Sequence, residues 1–415
     1  MTSPLPPSWA RASLGSIFRV EYGKGLAKRQ RVETGAVGVY GSAGLLGHHD
    51  RALIDEPVVI VGRKGNAGAV WHTSSPSWPI DTTYFLRVPR GMSADFLGLQ
   101  LGHLDLVEQD SSTTIPSLRR PDLEAASVAV APTPEQWRVV ATIEEHFSRL
   151  DAAEAALRKN LERLDALRTS ILADTFHTNR PLPPDWSQGT LGEIASWGSG
   201  GTPKRSESRY YGGHIPWAII GDLNDGIILK CKEHITKEAL NNSSCKLIEP
   251  GTVLIAMYGS IGKLGIAGTQ MATNQAIAFA DSYIDRLYLF YYLLSQRSAL
   301  YLAGKGATQR NISQTVLKSW PIPVAPPVEQ ERIVNAIEEQ LSRLDAAEAA
   351  LCKNLDRIDA LRKVILAEAF SGRLVPQDPN DEPASVLLER IAASRADSRM
   401  GRDRRIRQPP RAQLA

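Results

Sequence analysis

Basic and amide side chains recur beside glycines on short loop-like stretches, and these residue types can read nucleic acid. Arg and Lys bond guanine edges, Asn and Gln bond adenine edges, and backbone amides contact phosphates. Taken singly, each stretch is more simply a solvated turn whose glycines supply positive φ. Recurrence in both halves of the chain favours DNA binding by the set. The candidate DNA-binding residues are Lys24, Lys28, Arg29, Arg31, Arg63, Lys64, Asn66, Lys204, Arg205, Tyr258, Ser260, Lys263, Asn274, Gln275, Gln309, Arg310 and Asn311.

The sequence contains no familiar catalytic motif. The run Gly259–Leu264 has neither the spacing nor the hydroxyl of a phosphate-binding P-loop, and no G-x-S-x-G, H-E-x-x-H or G-x-G-x-x-G run occurs. Pro326-Pro327 is followed by Val, so the N/D-P-P-Y/F tetrapeptide of amino-methyltransferases is also missing. We therefore predict no catalytic residue in this chain.

The cysteines predict neither disulfides nor a metal site. Cys231, Cys245 and Cys352 form no C-x-x-C pair, and none lies at metal-ligand spacing from a histidine. We expect three reduced thiols, no metal and no cofactor bound by this chain.

Length and composition point to a multidomain globular protein. The chain has 415 residues, 43% of them hydrophobic and 22% charged, which fits two to four domains. No apolar run approaches the roughly 20 residues that span a bilayer, and the first residues lack a signal-peptide core. These features predict a cytoplasmic protein without membrane contact.

The net charge of +3 hides an uneven distribution. Residues 390–415 hold eight Arg and two Asp, which is +6 and leaves −3 for residues 1–389. This Arg-rich tail is either a nucleic-acid contact or a solvated, partly disordered end.

A long segment occurs twice and organises the chain. Residues 131–176 match residues 325–370 at a constant offset of 194, with 31 identities in 46 positions. A shorter repeat, Pro-Leu-Pro-Pro followed by Trp, opens each half at residues 4–9 and 181–186, an offset of 177. The chain is therefore a tandem duplication. Its second globular segment is longer by 17 residues, the difference between the two offsets.

Both copies of the long segment predict paired helices. Apolar residues recur at spacings of three and four over more than four heptads, which is typical of a coiled-coil seam. A helix of about 42 residues is on the order of 60 Å long, so we expect a rod with a globular domain at each end. The seam residues are Val140, Ile143, Phe147, Leu150, Leu157, Leu161, Leu164 and Ile171, and then Val334, Ile337, Leu341, Leu344, Leu351, Leu355, Ile358 and Ile365.

Two polar residues interrupt each seam and indicate its direction. They are Glu154 and Arg168 in the first helix, and Glu348 and Arg362 in the second. A parallel pair would place like charges together, whereas an antiparallel pair brings each Glu to an Arg. We therefore expect antiparallel helices. The alternative is that all four side chains extend into solvent and carry no information about direction.

The chain as a whole resembles the specificity (S) subunit of type I DNA restriction-modification enzymes. The most specific stretches are residues 361–388, the run Gly-Ala-Thr-Gln-Arg-Asn-Ile-Ser at 306–313, and residues 62–65 with 81–85. The resemblance implies an α+β fold. In it, two mixed α/β target-recognition domains are separated by two long conserved helices that form an antiparallel coiled coil, a pseudo-two-fold tandem duplication. The chain departs from the pattern at residues 113–118, where Thr-Thr-Ile-Pro-Ser-Leu replaces the Gln-Arg-Asn-Ile form, and in its tail.

The resemblance also implies partners and a division of the chain. It implies a non-catalytic subunit that recognises a bipartite target in double-stranded DNA and directs two methylation (M) subunits and the restriction/translocase (R) subunits. S-adenosylmethionine, ATP and Mg belong to those partners. The implied divisions are a first target-recognition domain at 1–130, a central coiled-coil helix at 131–179, a second target-recognition domain at 180–324, a C-terminal coiled-coil helix at 325–375, and an extension at 376–415.

The residues are also compatible with, or argue against, two other classes of protein. A free-standing bivalent DNA-binding protein without a methylation partner is the alternative, and neighbouring genes would discriminate the two. A nuclease is disfavoured because no metal-binding cluster of carboxylates with a lysine is visible. The bases that are read do not follow from residue spacing.

Overall fold

A computed structural model describes residues 4–104, 106, 116–176, 181–306 and 310–406, with side chains described up to residue 396. The chain divides into two compact units. The first comprises Met1–Ala156 with Asn354–Ala415, and the second comprises Leu157–Lys353. Both unit boundaries fall inside long helices, so each of these helices contributes to both units.

The elements of the first half recur in the same order in the second half. The first half has β1 (Ala10–Ser13), α1 (Leu14–Ile17), β2 (Val20–Tyr22), β3 (Val37–Gly41), β4 (Gly44–His49), β5 (Val58–Gly62), β6 (Val70–Thr73), β7 (Ser77–Pro79), β8 (Thr83–Arg87), α2 (Ala94–His103), α3 (Arg120–Ala125), β9 (Ser127–Val130) and the long helix α4 (Thr133–Thr175). The second half begins with β10 (Ser187–Thr190), α5 (Leu191–Ile194), β11 (Ala195–Ser199), β12 (Tyr211–Ala218), β13 (Ile227–Ile228), β14 (Glu233–Ile235), α6 (Lys237–Asn241), β15 (Leu247–Ile248), β16 (Val253–Ala256), β17 (Leu264–Ala267), β18 (Met271–Thr273) and β19 (Ile277–Ser282). It continues with α7 (Arg286–Ser295), α8 (Arg297–Ala303), α9 (Gln314–Lys318), β20 (Pro321–Val324), the long helix α10 (Pro327–Phe370) and α11 (Ala384–Ile406). The second half thus adds β13, α6, β15 and α8 between the elements that recur.

The sheets of the two units share one topology. In the first unit, strands pair in the orders β2-β8-β5-β6 and β4-β3-β7, and β1 pairs with β9. In the second, the orders are β11-β19-β16-β17-β13 and β14-β12-β18-β15, and β10 pairs with β20. The second unit therefore repeats the first and adds edge strands β13 and β15. This confirms the predicted α+β fold with a duplicated mixed domain.

The central strand of each unit is apolar on both faces because both faces are covered. Val59 and Val61 of β5 pack into the cluster that contains Leu97 of α2, whereas Val58 and Ile60 pack on the opposite face. Alternation of side chains along a strand places them on these two faces. Strand β16 is likewise fully buried.

A buried glutamine ties each long helix to its own domain. The Gln136 side chain donates to the carbonyl five residues before it at 2.9 Å, and its oxygen accepts the Ser93 amide at 2.9 Å. Gln330 makes the same two contacts at 2.7 and 2.9 Å, the second with the Asp285 amide. Ser93 and Asp285 are the N-caps of α2 and α7. Each glutamine therefore sets where a long helix leaves its domain.

The long helices pair antiparallel within each unit. In the first unit, Arg362 Nη2 lies 2.9 Å from Glu154 Oε2, and in the second, Arg168 Nη2 lies 2.6 Å from Glu348 Oε2. These pairings confirm the direction predicted from charge. The four side chains are 24–41% exposed, so the alternative that all extend into solvent is wrong. All sixteen seam residues are buried or half-buried.

The final helix docks on the first domain. Ala384, Leu387 and Ile391 of α11 are buried in that domain's core cluster. Beyond these buried residues in α11, the Arg395 guanidinium donates to the Gly15 carbonyl at 3.1 Å. The Arg-rich tail therefore begins as a packed helix, and its residues 407–415 lie outside the described part of the chain.

Candidate nucleic-acid interface

Two hairpin loops at equivalent places each carry three of the predicted residues. The first, residues 63–69, joins β5 to β6, and the second, residues 257–263, joins β16 to β17. Each contains two glycines of positive φ three residues apart. These are Gly65 and Gly68, both at +79°, and Gly259 and Gly262, at +75° and +79°. Because only glycine adopts this conformation without strain, the glycines shape both loops alike while the residues between them differ.

Backbone hydrogen bonds hold the first hairpin against two neighbouring segments. The Arg63 amide donates to the Thr82 carbonyl at 2.9 Å, and the Leu118 amide donates to the Arg63 carbonyl at 2.9 Å. Lys64 and Ser117 form an antiparallel bridge beside them. Three separate chain segments thus meet at this end of the sheet.

The second hairpin makes the same contacts through residues whose numbers are higher by 194. The Met257 amide donates to the Ala276 carbonyl at 2.8 Å, and the Ile312 amide donates to the Met257 carbonyl at 2.8 Å. Tyr258 and Asn311 form the corresponding bridge. The two units therefore present one backbone frame with different side chains.

In the first hairpin, the exposed polar side chains are Lys64 and Asn66. Within the described ranges neither makes a side-chain hydrogen bond or ion pair. Arg63 is already engaged, because its guanidinium donates to the Asp81 carbonyl at 2.9 Å and lies 5.4 Å from the Tyr22 ring centroid. Arg63 therefore supports the hairpin, and Lys64 and Asn66 point their polar groups to solvent.

The other basic residues of the first unit lie on the loop that follows β2. The Lys24 amide donates to the Pro79 carbonyl at 2.9 Å, which brings this loop next to the segment that holds the first hairpin. The Lys24 ammonium lies 6.0 Å from the Trp78 ring centroid. Arg31 donates to the Leu26 carbonyl at 2.9 Å. Lys28 and Arg29 are exposed in a short 3₁₀ turn.

Arg205 of the second unit is heavily engaged. Its guanidinium bonds both oxygens of Glu233, at 2.6 and 3.2 Å, and these hydrogen bonds raise the pKa of Arg205. It also lies 4.9 Å from the Tyr211 ring and 5.1 Å from the Trp217 ring. DNA contact by Arg205 would have to share or break this pairing, whereas Lys204 beside it is exposed.

Three further predicted residues of the second unit form hydrogen bonds within that unit. Asn274 accepts the Ala276 amide at 3.1 Å, Lys263 donates to the Ile220 carbonyl at 3.4 Å, and Gln275 accepts the Thr202 hydroxyl. These side chains have a structural partner already.

Two further predicted residues of the second unit have exposed side chains. Arg310 is exposed and lies 5.1 Å from the Tyr301 ring. Ser260 is exposed at the hairpin tip. Gln309 lies outside the described residues.

The surroundings of the first and the second hairpin differ in shape. In the second unit, Ser199, Tyr258, Asn311 and Gln314 line an open cavity of about 540 Å³. Strand pairing places Tyr22 of the first unit where the second has Ser199, because their partners Tyr84 and Ala278 are 194 residues apart. Tyr22 stacks with Arg63, which takes the place of Met257. Bulky side chains therefore occupy the corresponding place in the first unit.

Sequence reasoning missed Ser117 and Gln314. The offset of 194 continues from the long repeat into the hairpins, through Gly65 and Gly259, and reaches Ser117 and Asn311. Extending the repeat offset into the globular segments would have identified Ser117. No sequence signal marks Gln314, which joins the interface only through the fold.

Among the described residues, no group of three or more His, Cys, Asp or Glu side chains could hold a metal ion. No described helix is long and apolar enough to cross a membrane.

The chain is similar to known proteins in sequence and in fold. Residues 183–355 match the family model for the type I restriction modification DNA specificity domain. The specificity subunit of the type I restriction enzyme EcoBI from Escherichia coli is 25% identical over 336 residues, which cover 72% of this chain and 70% of that subunit. The EcoDI specificity subunit from Escherichia coli is 23% identical over 440 residues, covering 95% of this chain and 97% of that subunit.

A solved structure supports the fold. A chain from work on complex assembly and conformational transition of the type I R-M system superposes with a TM-score of 0.72 at 20% identity. The match covers 90% of this chain and 100% of that chain. Residues 183–355 therefore match a type I restriction modification DNA specificity domain, and the chain as a whole is similar in sequence to specificity subunits of type I restriction enzymes and in fold to a chain of the type I R-M system.

Proposed function

We propose that this chain recognises a bipartite target in double-stranded DNA and directs adenine methylation and restriction by partner subunits. The observation that carries the proposal is the repeated hairpin, which has one backbone frame in both units but different exposed side chains. Two domains with the same backbone geometry and different side chains can recognise two different half-sites. Each base pair presents its own pattern of hydrogen-bond donors and acceptors in the major groove.

The assignment of regions follows from this duplication. Residues 1–130 and 180–324 are the two target-recognition domains, and the helices at 131–179 and 325–375 join them. The extension at 376–415 is anchored on the first domain through α11. Each domain reads one half-site, and the helix lengths set the spacer between the half-sites.

Catalysis belongs to the partners in this proposal. Two M subunits bring S-adenosylmethionine and methylate adenine, and R subunits use ATP and Mg to translocate and cut. The present chain selects the DNA target through its candidate DNA-binding residues. The names of its relatives, which are subunits of type I restriction enzymes, support this division of labour.

Mapping of methylated adenines in the source cell, with and without this gene, tests the proposal. Deletion should abolish methylation at one bipartite motif, and re-expression of the gene should restore it. If every methylated motif survives deletion, the proposal is wrong, and DNA binding without any methylation change would favour the free-standing binder.

Exchange of one domain provides a sharper test. Replacement of residues 1–130 by the corresponding domain of a relative should change one half-site and leave the other half-site and the spacer unchanged. A change in both half-sites would contradict separate reading by the two domains.

A further inference from the structure

We propose that Lys64 with Ser117, and Tyr258 with Asn311, are equivalent specificity-determining pairs, the first directed at guanine and the second at adenine. The inference rests on the proposed function, within which it names the side chains that discriminate bases and the base that each pair selects.

The two pairs hold the same place in the backbone frame. Each pair is an antiparallel bridge between a β-hairpin and a second segment, and the members of the two pairs differ by 194 in number. Each hairpin member precedes a positive-φ glycine, Gly65 or Gly259. A difference in readout between the units at this place must therefore come from side chains, because the backbone is alike.

The side chains of these residues have polar groups available to bind a base, in contrast to those of neighbouring residues. A side chain that reads a base needs polar atoms that are not already bonded within the protein. Lys64, Ser117 and Asn311 are exposed, and in the described part of the chain their side chains make no hydrogen bond or ion pair. Arg63 and Arg205, in contrast, already have partners.

The chemistry of the two pairs then predicts different bases. The Lys64 ammonium is a donor only, which suits the O6 and N7 acceptors of guanine. The Asn311 amide both donates and accepts, which suits N6 and N7 of adenine. Asn311 borders the open cavity with Tyr258 and Gln314, so a base edge can approach the amide. In the first unit, Tyr22 and Arg63 occupy the corresponding place.

The experiment places Lys64→Ala and Asn311→Ala separately at the gene's own locus and maps methylated adenines in the cell. Each variant should relax one base pair in a different half-site, a G·C pair for Lys64 and an A·T pair for Asn311. We expect discrimination at that position to fall by about tenfold or more, the size of one good base contact. Arg11→Ala and Asn241→Ala remove exposed side chains of matched type elsewhere in each unit and should leave the motif unchanged.

Exchange variants keep the test decisive if an alanine variant fails to fold. Lys64→Asn should shift preference at its position from guanine towards adenine, and Asn311→Lys should shift preference at its position from adenine towards guanine. Unfolding cannot produce such a shift. Unchanged half-sites in all four variants, or changes confined to one and the same half-site, would overturn the inference. If deletion of the whole gene leaves methylation intact, the proposed function fails instead.

Discussion

Arg362 Nη2 lies 2.9 Å from Glu154 Oε2, and both side chains are only about one-quarter exposed, at 25% and 24%. The pair joins the two long helices through residues that lie 208 positions apart in sequence. The equivalent pair, Arg168 with Glu348, does the same in the second unit. Because a parallel arrangement would set Glu against Glu, these contacts select the antiparallel direction as well as stabilising it.

Charge reversal at this pair should destabilise the first unit. Glu154→Arg places two cations together and should lower the free energy of unfolding by about 1–2 kcal/mol, between the values for exposed and buried pairs. The double variant Glu154→Arg with Arg362→Glu should regain only part of the loss, because Arg362 also pairs with Asp151 and Asp359 in the native protein. Urea midpoints measure the effect. Glu145→Arg, which alters an exposed pair on the same helix, should change stability by no more than about 0.5 kcal/mol. Failure of the double variant to recover would contradict a direct pairing.

Loss of the buried glutamine should be more costly. Gln136→Ala leaves the Ser93 amide and the carbonyl five residues before Gln136 without their partner, which should cost about 2–4 kcal/mol. Gln330→Ala should act similarly in the second unit. Thermal and urea unfolding measure both, and Gln340→Ala on the exposed side of α10 is the matched control. Equal stabilities for Gln136→Ala and Gln340→Ala would show that the hydrogen bonds of the Gln136 side chain do not stabilise the fold.

Glycine replacement should distinguish backbone strain from crowding in the first hairpin. Gly65 has φ of +79°, and the nearest atom to an added Cβ is Ser42 Oγ at 3.5 Å, an ordinary contact. Gly65→Ala should therefore cost about 1 kcal/mol through backbone strain alone. Gly102 lies in α2, and no atom of the described residues lies within 4 Å of an added Cβ, so Gly102→Ala should be neutral or stabilising. Differential scanning calorimetry of the two variants checks the opposite signs, and destabilisation by both would refute the distinction.

Thiol labelling should report the burial of the cysteines. Cys231 and Cys245 are buried and Cys352 is exposed. Burial raises the pKa of Cys231 to about 11, so little reactive thiolate forms there at neutral pH. A maleimide should label one thiol in the native protein at pH 7 and three in denaturant, with peptide mapping to locate the fast site. Rapid native labelling at Cys231 would contradict the packing of the second domain.

The length of the helices should set the spacer if the proposed function is correct. Insertion of one heptad into both α4 and α10 lengthens each by about 10 Å, which equals roughly three base pairs of DNA. The methylated motif should gain a spacer longer by about three base pairs and keep both half-sites. Insertion into one helix alone breaks the pairing register and should abolish methylation. An unchanged spacer in the double insertion would contradict this role of the helices.

The amino-acid sequence determined the duplication, the two long helices and their direction. The reason is local: a repeat of 31 identities in 46 positions, a seam at helical spacing and four interrupting charges are all readable along one dimension. Side chains at three- and four-residue spacing share a helix face whatever surrounds the helix. The prediction of antiparallel pairing from Glu154 and Arg362 needed only charge and order.

Only the tertiary structure decided which loop residues remain available. Lys64 and Arg205 look alike as basic loop residues, but Lys64 is exposed without a described partner whereas Arg205 is held by Glu233 and two aromatic rings. Ser117 joins Lys64, and Asn311 joins Tyr258, across 53 residues of sequence in each case. Pairings over such distances depend on how strands close into sheets and on which polar groups find partners there, and residue type and spacing along the chain do not encode that outcome.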